Sequence, residues 1–589
     1  MAAVLWLNRP AEAMPGINFS VSPASVSNTF NGQITLQILN MGGVGTVVVQ
    51  KFLDLNTNGV IDAGDLLVQQ FQLTDNQASV IGGVTNLNVP GDWNAASGTI
   101  TTPLNLQISG FEQLWVGQYA FKFSSTNGSF TPSIKLFNVT NTAWAQSFTG
   151  AVSSSGTNVP YALVGLFAGS GGKINPVAGA VADNSGNYTI KAAPGTYTLA
   201  AFASNYVGDL TAVAGLTLIT NASFATNLNL IPATCNISGQ VVNAGNASIG
   251  LPGLFTGWQS KNGLMAIGFT DTNGYFNVPV TSGQWKYGHD LQAIDSHGYL
   301  GLENKPQVDT STGTVAGVTI ALAKATALIY GTILDAQGHP LAGVRLFGDE
   351  NDNNATYRGD ATTDQNGNYV IAANADLWNA NIDTDFTTFA NYVFSQGLAD
   401  TNLTAGQALQ FNFTALLGTN QITGQVKDYT NAPVAVVSVH CDASLNGTNF
   451  TTQTDTDGNG FYTLNVVGGN WDVAVGCSGG DTDDTLSQLG YQCVNDKLVG
   501  ISNQNGVVNF TVYPAGMPAV GQPARLSSTQ FGFTLNGSAG TNYTIQTATN
   551  LSPTNWFTLM VTNLSGNAAF IQDNQATNPQ RFYRALRGP

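Results

Sequence analysis

Apolar and polar residues alternate over short runs through most of the chain. "GQITLQIL" (32–39), "GTVVVQKF" (45–52), "LLVQQFQL" (66–73), "GQYAFKFSS" (117–125) and "GNYTIKAAPGTYTLAAFA" (186–203) all show a period of two. That period places alternate side chains on one face of a strand. Clusters of Gly, Pro, Asn and Asp punctuate the runs and supply turns. The pattern predicts an all-β protein made of many short strands, each burying one face. A chain of 589 residues exceeds a single core, so several domains are expected.

The punctuation repeats. A turn of the form Asp, two residues, Gly, then an aromatic occurs at Asp183–Gly186–Tyr188, Asp271–Gly274–Tyr275, Asp364–Gly367–Tyr369 and Asp455–Gly458–Tyr462. The Asp residues lie 88, 93 and 91 positions apart. Gly150, Gly239, Gly331 and Gly424 keep the same period near the start of each unit, in "SFTGAV", "NISGQV", "LIYGTI" and "QITGQV". Tyr197, Trp285, Trp378 and Trp471 lie about 14 residues after the Asp of each turn. The Asp side chain caps the turn, Gly takes positive φ, and the aromatic opens the next strand. An aromatic held in register by a repeat is expected in the core rather than on a ligand-stacking surface. Trp93, Trp115, Trp144, Trp258 and Trp556 stand outside that register and remain candidates for exposed platforms.

The opening "sGxV", the middle "LAGVRLF" (341–347), the "TDxxGxY" turn and the later aromatic resemble the carboxypeptidase regulatory-like family and the related Cna-B-type, transthyretin-like sandwiches. The resemblance covers roughly residues 146–515. It implies tandem Ig-like or prealbumin-like β-sandwiches in an elongated multidomain rod. Such modules serve as spacers, stalks and accessory domains of exported proteins. Some relatives carry internal Lys–Asn isopeptide bonds promoted by an acidic residue. Lysine is scarce here and Glu303 and Glu350 are the only glutamates in the repeats, so no such bond is expected. Near the C-terminus, Tyr543, Ile545, Gln546, Thr549, Leu551, Trp556 and "FYR" (582–584) are similar to a C-terminal β-module of exported bacterial proteins. The expected boundaries are an N-terminal segment 1–16, a sandwich 17–145, repeats 146–232, 233–325, 326–418 and 419–515, and a small β-domain 516–589.

Charge narrows the partners. The formal net charge is -16, with only 18 Lys plus Arg. Without a basic cluster, nucleic acid and anionic lipid are poor partners. No apolar run is long enough to span a membrane as a helix. The start, "MAAVLWLNRPAEAMPG", reads either as the tail of a secretory signal, with Ala11-Glu12-Ala13 as cleavage site, or as a frayed terminus. A third role for it is a donor strand added to the sheet edge of a neighbouring copy.

One loop carries candidate chemistry. "DLNTNGVIDAGD" (54–65) sets oxygen ligands at Asp54, Asn56, Asn58, Asp62 and Asp65, adds the Val60 carbonyl, and turns at Gly59. That is the spacing of a twelve-residue calcium loop. It resembles dockerin-type and EF-hand-like loops, although only one copy is present and its flanks read as strands. Ile61 is expected to pin the loop to the core. Calcium is the expected cofactor, in a structural role, since all the ligands are internal to one loop. The acidic stretches 348–360 and 479–484 are weaker matches.

Cysteines occur at 235, 441, 477 and 493. None forms the C-x-x-C pattern of a zinc site. Cys477 with Cys493 is the preferred disulfide, with Cys441 a competitor for either. No nucleophile-elbow, zincin, Walker or dinucleotide motif is present, and the four histidines are scattered. The expectation is a non-catalytic, secreted or bacterial cell-surface structural protein: a stalk, adhesin or fibre subunit. Its partner is a second copy of itself or, alternatively, a surface or extracellular polysaccharide. A secreted carbohydrate-active enzyme is the remaining alternative.

Overall fold

The computed structural model describes residues 16–42, 45–106, 110–170, 173–288, 290–350, 357–383, 389, 391–477, 484–551, 556–578 and 580–588. The N-terminal segment that could act as a donor strand therefore lies outside the described residues. Strands hold 57% of the chain and helices 3%, which makes this an all-β protein of tandem β-sandwiches. Of these, the residues within 16–333, 340–382 and 397–412 form one compact unit, and those within 334–339, 383–396 and 413–588 form another.

In the first unit, the N-terminal sandwich stacks two sheets. One has Gln33–Leu39 between Asn18–Ser22 and Thr99–Asn105. The other runs Ser25–Ser27, Ser133–Thr140, Gly117–Ser125, Thr46–Asp54, Leu66–Thr74. Between them lies an aromatic core that includes Phe19, Tyr119, Phe121, Phe123 and Phe137. That core continues into Leu163, Phe167 and Phe202 of the first repeat. Both faces of the stretch 163–167 are consequently covered, which explains why "LVGLF" is apolar without alternation.

Each repeat is built around its "sGxV" strand. Ser147–Ser154 pairs antiparallel with Asn187–Lys191 and parallel with Ser223–Ala225. Cys235–Asn243 pairs in the same way with Tyr275–Val280 and Val315–Leu322. In the third repeat residues 327–332 pair with Asn368–Ala373 and Ala408–Gln410. In the second unit Asn420–Asp428 pairs with Phe461–Val466 and Phe510–Pro514.

The repeated glycine has a steric cause. A Cβ on Gly150, Gly239, Gly331 or Gly424 would stand 1.6–1.9 Å from the carbonyl oxygen of Thr226, Val318, Phe411 or Val508, on the parallel neighbour. In three repeats the tyrosine after the turn lies opposite this glycine and donates its hydroxyl to that same oxygen: Tyr188 to Thr226, Tyr369 to Phe411 and Tyr462 to Val508, at 2.5–2.7 Å. Glycine admits the carbonyl and tyrosine holds it.

The turns behave as expected, with two corrections of register. Asp183, Asp271 and Asp364 each accept from the backbone N–H groups two and four residues on, at 2.8–2.9 Å. Gly186, Gly274 and Gly367 have φ of 81, 79 and 73°. In the fourth repeat these roles fall to Asp457 and Gly460 (φ 74°), not to Asp455 and Gly458. In the second repeat the ring opposite Gly239 is Phe276, while Tyr275 is 55% exposed.

The small C-terminal domain pairs Phe531–Asn536 with Ala519–Arg525 and Ala568–Asp573, and Asn542–Ala548 with Phe557–Asn563 and Phe582–Arg587. Phe533, Leu535, Tyr543, Ile545 and Ile571 fill the space between the two sheets.

Candidate functional site

The candidate calcium loop closes the hairpin between Thr46–Asp54 and Leu66–Thr74. Asp54 is the buried last residue of one strand, and Asp65 directly precedes the other. The loop wraps inward onto its own oxygens. Gly59 N–H donates to Asp54 Oδ2 (2.8 Å), Leu55 N–H to Asp65 Oδ1 (3.1 Å) and Asp62 N–H to Asp65 Oδ2 (2.9 Å). The Nδ2 groups of Asn56 and Asn58 both reach Asp62 Oδ2, at 2.8 and 3.1 Å. Gly59 adopts φ 75°, as a sharp turn at that position requires.

Backbone donation from Gly64, then the Asn56 amide, holds the Asp62 carboxyl below its ordinary range. Burial pushes Asp65 up. Asp54 Oδ1 is buried without a hydrogen-bond partner. The donor set fits a hard cation: five side chains bearing oxygens, and one buried carboxylate oxygen left over. Among the described residues, however, no three His, Cys, Asp or Glu side chains are drawn together as metal ligands. Leu55 packs against the core, whereas Ile61 stays partly exposed and is not the residue that pins the loop.

The other sequence candidates separate. In the stretch 348–360, Asp349 and Asp360 lie beside Arg358, and Asp360 also beside Arg345; Asn351 and Asn353 fall outside the described residues, as do residues 479–483 and His289. His297 is half-buried, its ring nitrogens against the carbonyls of Ala293 (2.8 Å) and Pro252 (3.1 Å). His339 is exposed and faces Asp335 at 3.0 Å.

The four cysteines are thiols. Cys477 and Cys493 are adjacent, the latter's Sγ donating to the Cys477 carbonyl at 3.5 Å. Cys235 and Cys441 are buried. Trp285, Trp378 and Trp471 are at most 2% exposed. Their indole N–H groups donate four residues back, to Thr281 O, Asn374 Oδ1 and Val467 O. Trp115 and Trp258 are buried too and are not surface platforms; Trp93 and Trp144 are 47% and 43% exposed.

Two charged groupings escaped the sequence reading. Lys51 is fully buried, with Nζ donating to Gln113 Oε1 (2.8 Å) and the Gln113 carbonyl (3.3 Å). Gln113 Nε2 in turn donates to Glu112 Oε1 (2.9 Å) and Val68 O (3.0 Å). Nearby, Phe111 N–H donates to Asp290 Oδ2 (2.9 Å), and Asp360 N–H to Asp295 Oδ2 (2.8 Å), tying the N-terminal sandwich to the second repeat and the second repeat to the third. Burial pushes Glu112 and Asp295 well above the usual carboxylate range and raises Asp290. One signal was available. Lys51 shares an inward-facing register with Val47, Val49 and Leu53.

No family model matches the chain, and no curated protein matches it. Solved structures do. The Bacillus anthracis TIE protein is 9% identical over 85% of this chain and 74% of that one, with a TM-score of 0.15. The streptococcal ancillary pilin is 11% identical over 48% and 98%, with a TM-score of 0.17. BcpA, the major pilin subunit of Bacillus cereus, is 12% identical over 48% and 99%, with a TM-score of 0.13. At TM-scores this low the likeness carries no argument about assembly or activity.

Proposed function

We propose that the chain is a non-catalytic extracellular structural protein, a bacterial surface stalk, adhesin or fibre subunit built from tandem carboxypeptidase regulatory-like sandwiches. One observation carries this reading. The residues that recur from repeat to repeat are spent on the fold: the glycine admits a carbonyl, the tyrosine holds it, the aspartate closes a turn, and the indole or phenol fills the core. A repeat retained for chemistry would instead carry reactive side chains in register on a surface. Calcium, held by Asp54, Asn56, Asn58, Asp62, Asp65 and the Val60 carbonyl, stiffens the hairpin of the N-terminal sandwich. The ion replaces the Asn56 and Asn58 contacts to Asp62 and supplies the partner that Asp54 Oδ1 lacks.

Electron microscopy of the purified full chain, with calcium and with chelator, tests the role. Filaments or end-to-end oligomers support it. Strictly monomeric particles at all concentrations, together with turnover of a polysaccharide, refute it.

Polysaccharide binding is a second reading, favoured by one feature. A cleft of ≈ 570 Å³ lies beside the loop, lined by Asn56, Asn141, Tyr161, Asp183, Asn184 and Asn187 among others. A glycan array probed with and without calcium decides it, and absence of binding in both conditions removes this reading.

A further inference from the structure

The first repeat departs from the other three at one place. Ala162, Leu254, Val344 and Val437 are equivalent, since their carbonyls accept from Ala182, Thr270, Thr363 and Thr456, the residues just before the turn aspartates. The three threonines also act through their side chains. Each is buried, accepts from the N–H of Leu254, Val344 or Val437 at 2.9 Å, and donates to the carbonyl of Leu251, Leu341 or Val434 at 2.6–2.8 Å. The first repeat has alanine there and forgoes both bonds. One residue before each of those equivalent positions the backbone is left-handed. There φ is 57° at Tyr161, 69° at Gly253, 85° at Gly343 and 59° at Val436. Glycine enters that region freely, whereas a bulky side chain does so under strain. The second and third repeats use glycine, the fourth a valine, and the first sets a tyrosine there.

Both departures of the first repeat, Tyr161 and Ala182, line the cleft of ≈ 570 Å³ beside the calcium loop. Thr57 of that loop lines it too and is itself left-handed, at φ 55°. Strained residues that a fold holds in place cluster where ligands are gripped. The volume lies within the about 300–1,000 Å³ of ordinary small-molecule sites. Among the described residues, Asp183 is the one charged side chain in the lining. Backbone donation from Asn187 holds its carboxyl below the ordinary range. Its Oδ1 accepts from the N–H groups of Ser185 and Asn187, and its Oδ2 has only a 3.3 Å contact to Asn187 Nδ2. The side chains of Asn184, Asn187 and Thr57 add donors and acceptors without adding charge. An acidic ligand would meet a carboxylate and no cation. A chain of hydroxyls meets donors, acceptors and an aromatic ring.

We propose that this cleft is a subsite for an uncharged sugar chain, with the Tyr161 ring as stacking platform and Asp183, Asn184 and Asn187 receiving the hydroxyls. The inference rests on the polysaccharide reading and names its site and its ligand class. The ring buries the apolar face of one sugar, which is what an aromatic side chain contributes most cheaply in conformational freedom. The strain at Tyr161 thus has a function in the first repeat that glycine could not serve.

The test is calorimetric titration of the purified full chain, in calcium, with cellohexaose, xylohexaose, mannohexaose and maltohexaose as uncharged probes and hexagalacturonate as the acidic one. At least one uncharged probe should bind, and hexagalacturonate should not. Tyr161→Gly installs the residue of the second and third repeats and relieves the left-handed strain. Its hydrogen exchange over Asn187–Lys191 should therefore be no faster than the parent's, while its affinity falls about tenfold or more, as for loss of an aromatic anchor. Tyr161→Phe keeps the ring and should bind nearly as the parent does. Undiminished affinity in Tyr161→Gly would overturn this site and leave the polysaccharide reading standing. Tighter binding of hexagalacturonate than of every uncharged probe would overturn the ligand class. No binding of any probe would overturn the inference and, with an empty glycan array, the reading beneath it.

Discussion

Replacing Gly424 by alanine sets two physical rules against each other. Glycine inside a strand is ordinarily worse than alanine by roughly 0.5–1 kcal/mol, so propensity alone forecasts a gain. The geometry forecasts the reverse. The added methyl carbon would lie 1.7 Å from the Val508 carbonyl oxygen and 2.7 Å from the Tyr462 ring. The oxygen belongs to backbone, so the neighbouring strand has to move away. Overpacking of this kind costs about 1–3 kcal/mol. The displacement also breaks the Tyr462–Val508 hydrogen bond, and a buried polar group left unpaired adds about 1–3 kcal/mol. The expected net loss is roughly 3 kcal/mol, a rise of about a hundredfold in the local opening constant.

Because a multidomain chain does not unfold in one step, the effect is best read locally. Hydrogen exchange by mass spectrometry, on peptides covering Asn420–Asp428 and Phe510–Pro514, reports it. Gly458 provides the control: its φ is not positive, and a Cβ there meets nothing within 4 Å. Gly458→Ala should leave exchange unchanged or slightly slower. Gly460→Ala, at φ 74°, should weaken the turn by about 1–2 kcal/mol. Protection in Gly424→Ala equal to that of the parent chain would refute the clash argument.

Four further outcomes follow from the same coordinates. Phe276→Tyr presents a hydroxyl to the Val318 carbonyl, restoring the pattern of the other repeats, and should slow local exchange by up to about 1 kcal/mol; faster exchange would contradict the equivalence of the four clamps. Calcium titration should show one site with a dissociation constant in the micromolar to millimolar range, on the order set by three carboxylates on one loop, and Asp62→Ala should abolish it. Under oxidising conditions thiol counting in denaturant should find only Cys235 and Cys441 free, with Cys477 and Cys493 linked; four free thiols would remove the disulfide. Glu112, Asp290 and Asp295 have raised folded pKa values. The folded state therefore binds more protons than the unfolded chain above the ordinary carboxylate range, and protection of the first unit should decline as pH rises through that window. Glu112→Gln should flatten the decline, and an unchanged slope would count against it.

The sequence revealed the layered architecture well, because alternation and turn chemistry are local. "TDxxGxY" announces a capped turn wherever it falls. Register was harder. "TDTDGNGFYTL" contains two Asp residues and two glycines, and only the pairing of Tyr462 with Gly424 selects Asp457 and Gly460. "YF" at 275–276 offers two aromatics of opposite facing, and the strand buries the second. The calcium loop was legible as a ligand spacing, but Leu55 rather than Ile61 meets the core. The Lys51–Gln113–Glu112 contact was out of reach, since it joins a strand to a turn far along the chain. So was the burial of Trp115, which packs over Gly179 of the first repeat, and that of Trp258, which fills the second repeat's own core beside Phe276 and Tyr287.

Oxidation of the native chain by N-bromosuccinimide, quantified peptide by peptide, addresses the central claim most directly. If the repeated aromatics serve the fold, Trp93 and Trp144 are modified while Trp285, Trp378 and Trp471 stay intact until the chain is denatured. Modification of any of those three at the rate of Trp93 would place the repeated indoles on an open surface and contradict the scaffold account.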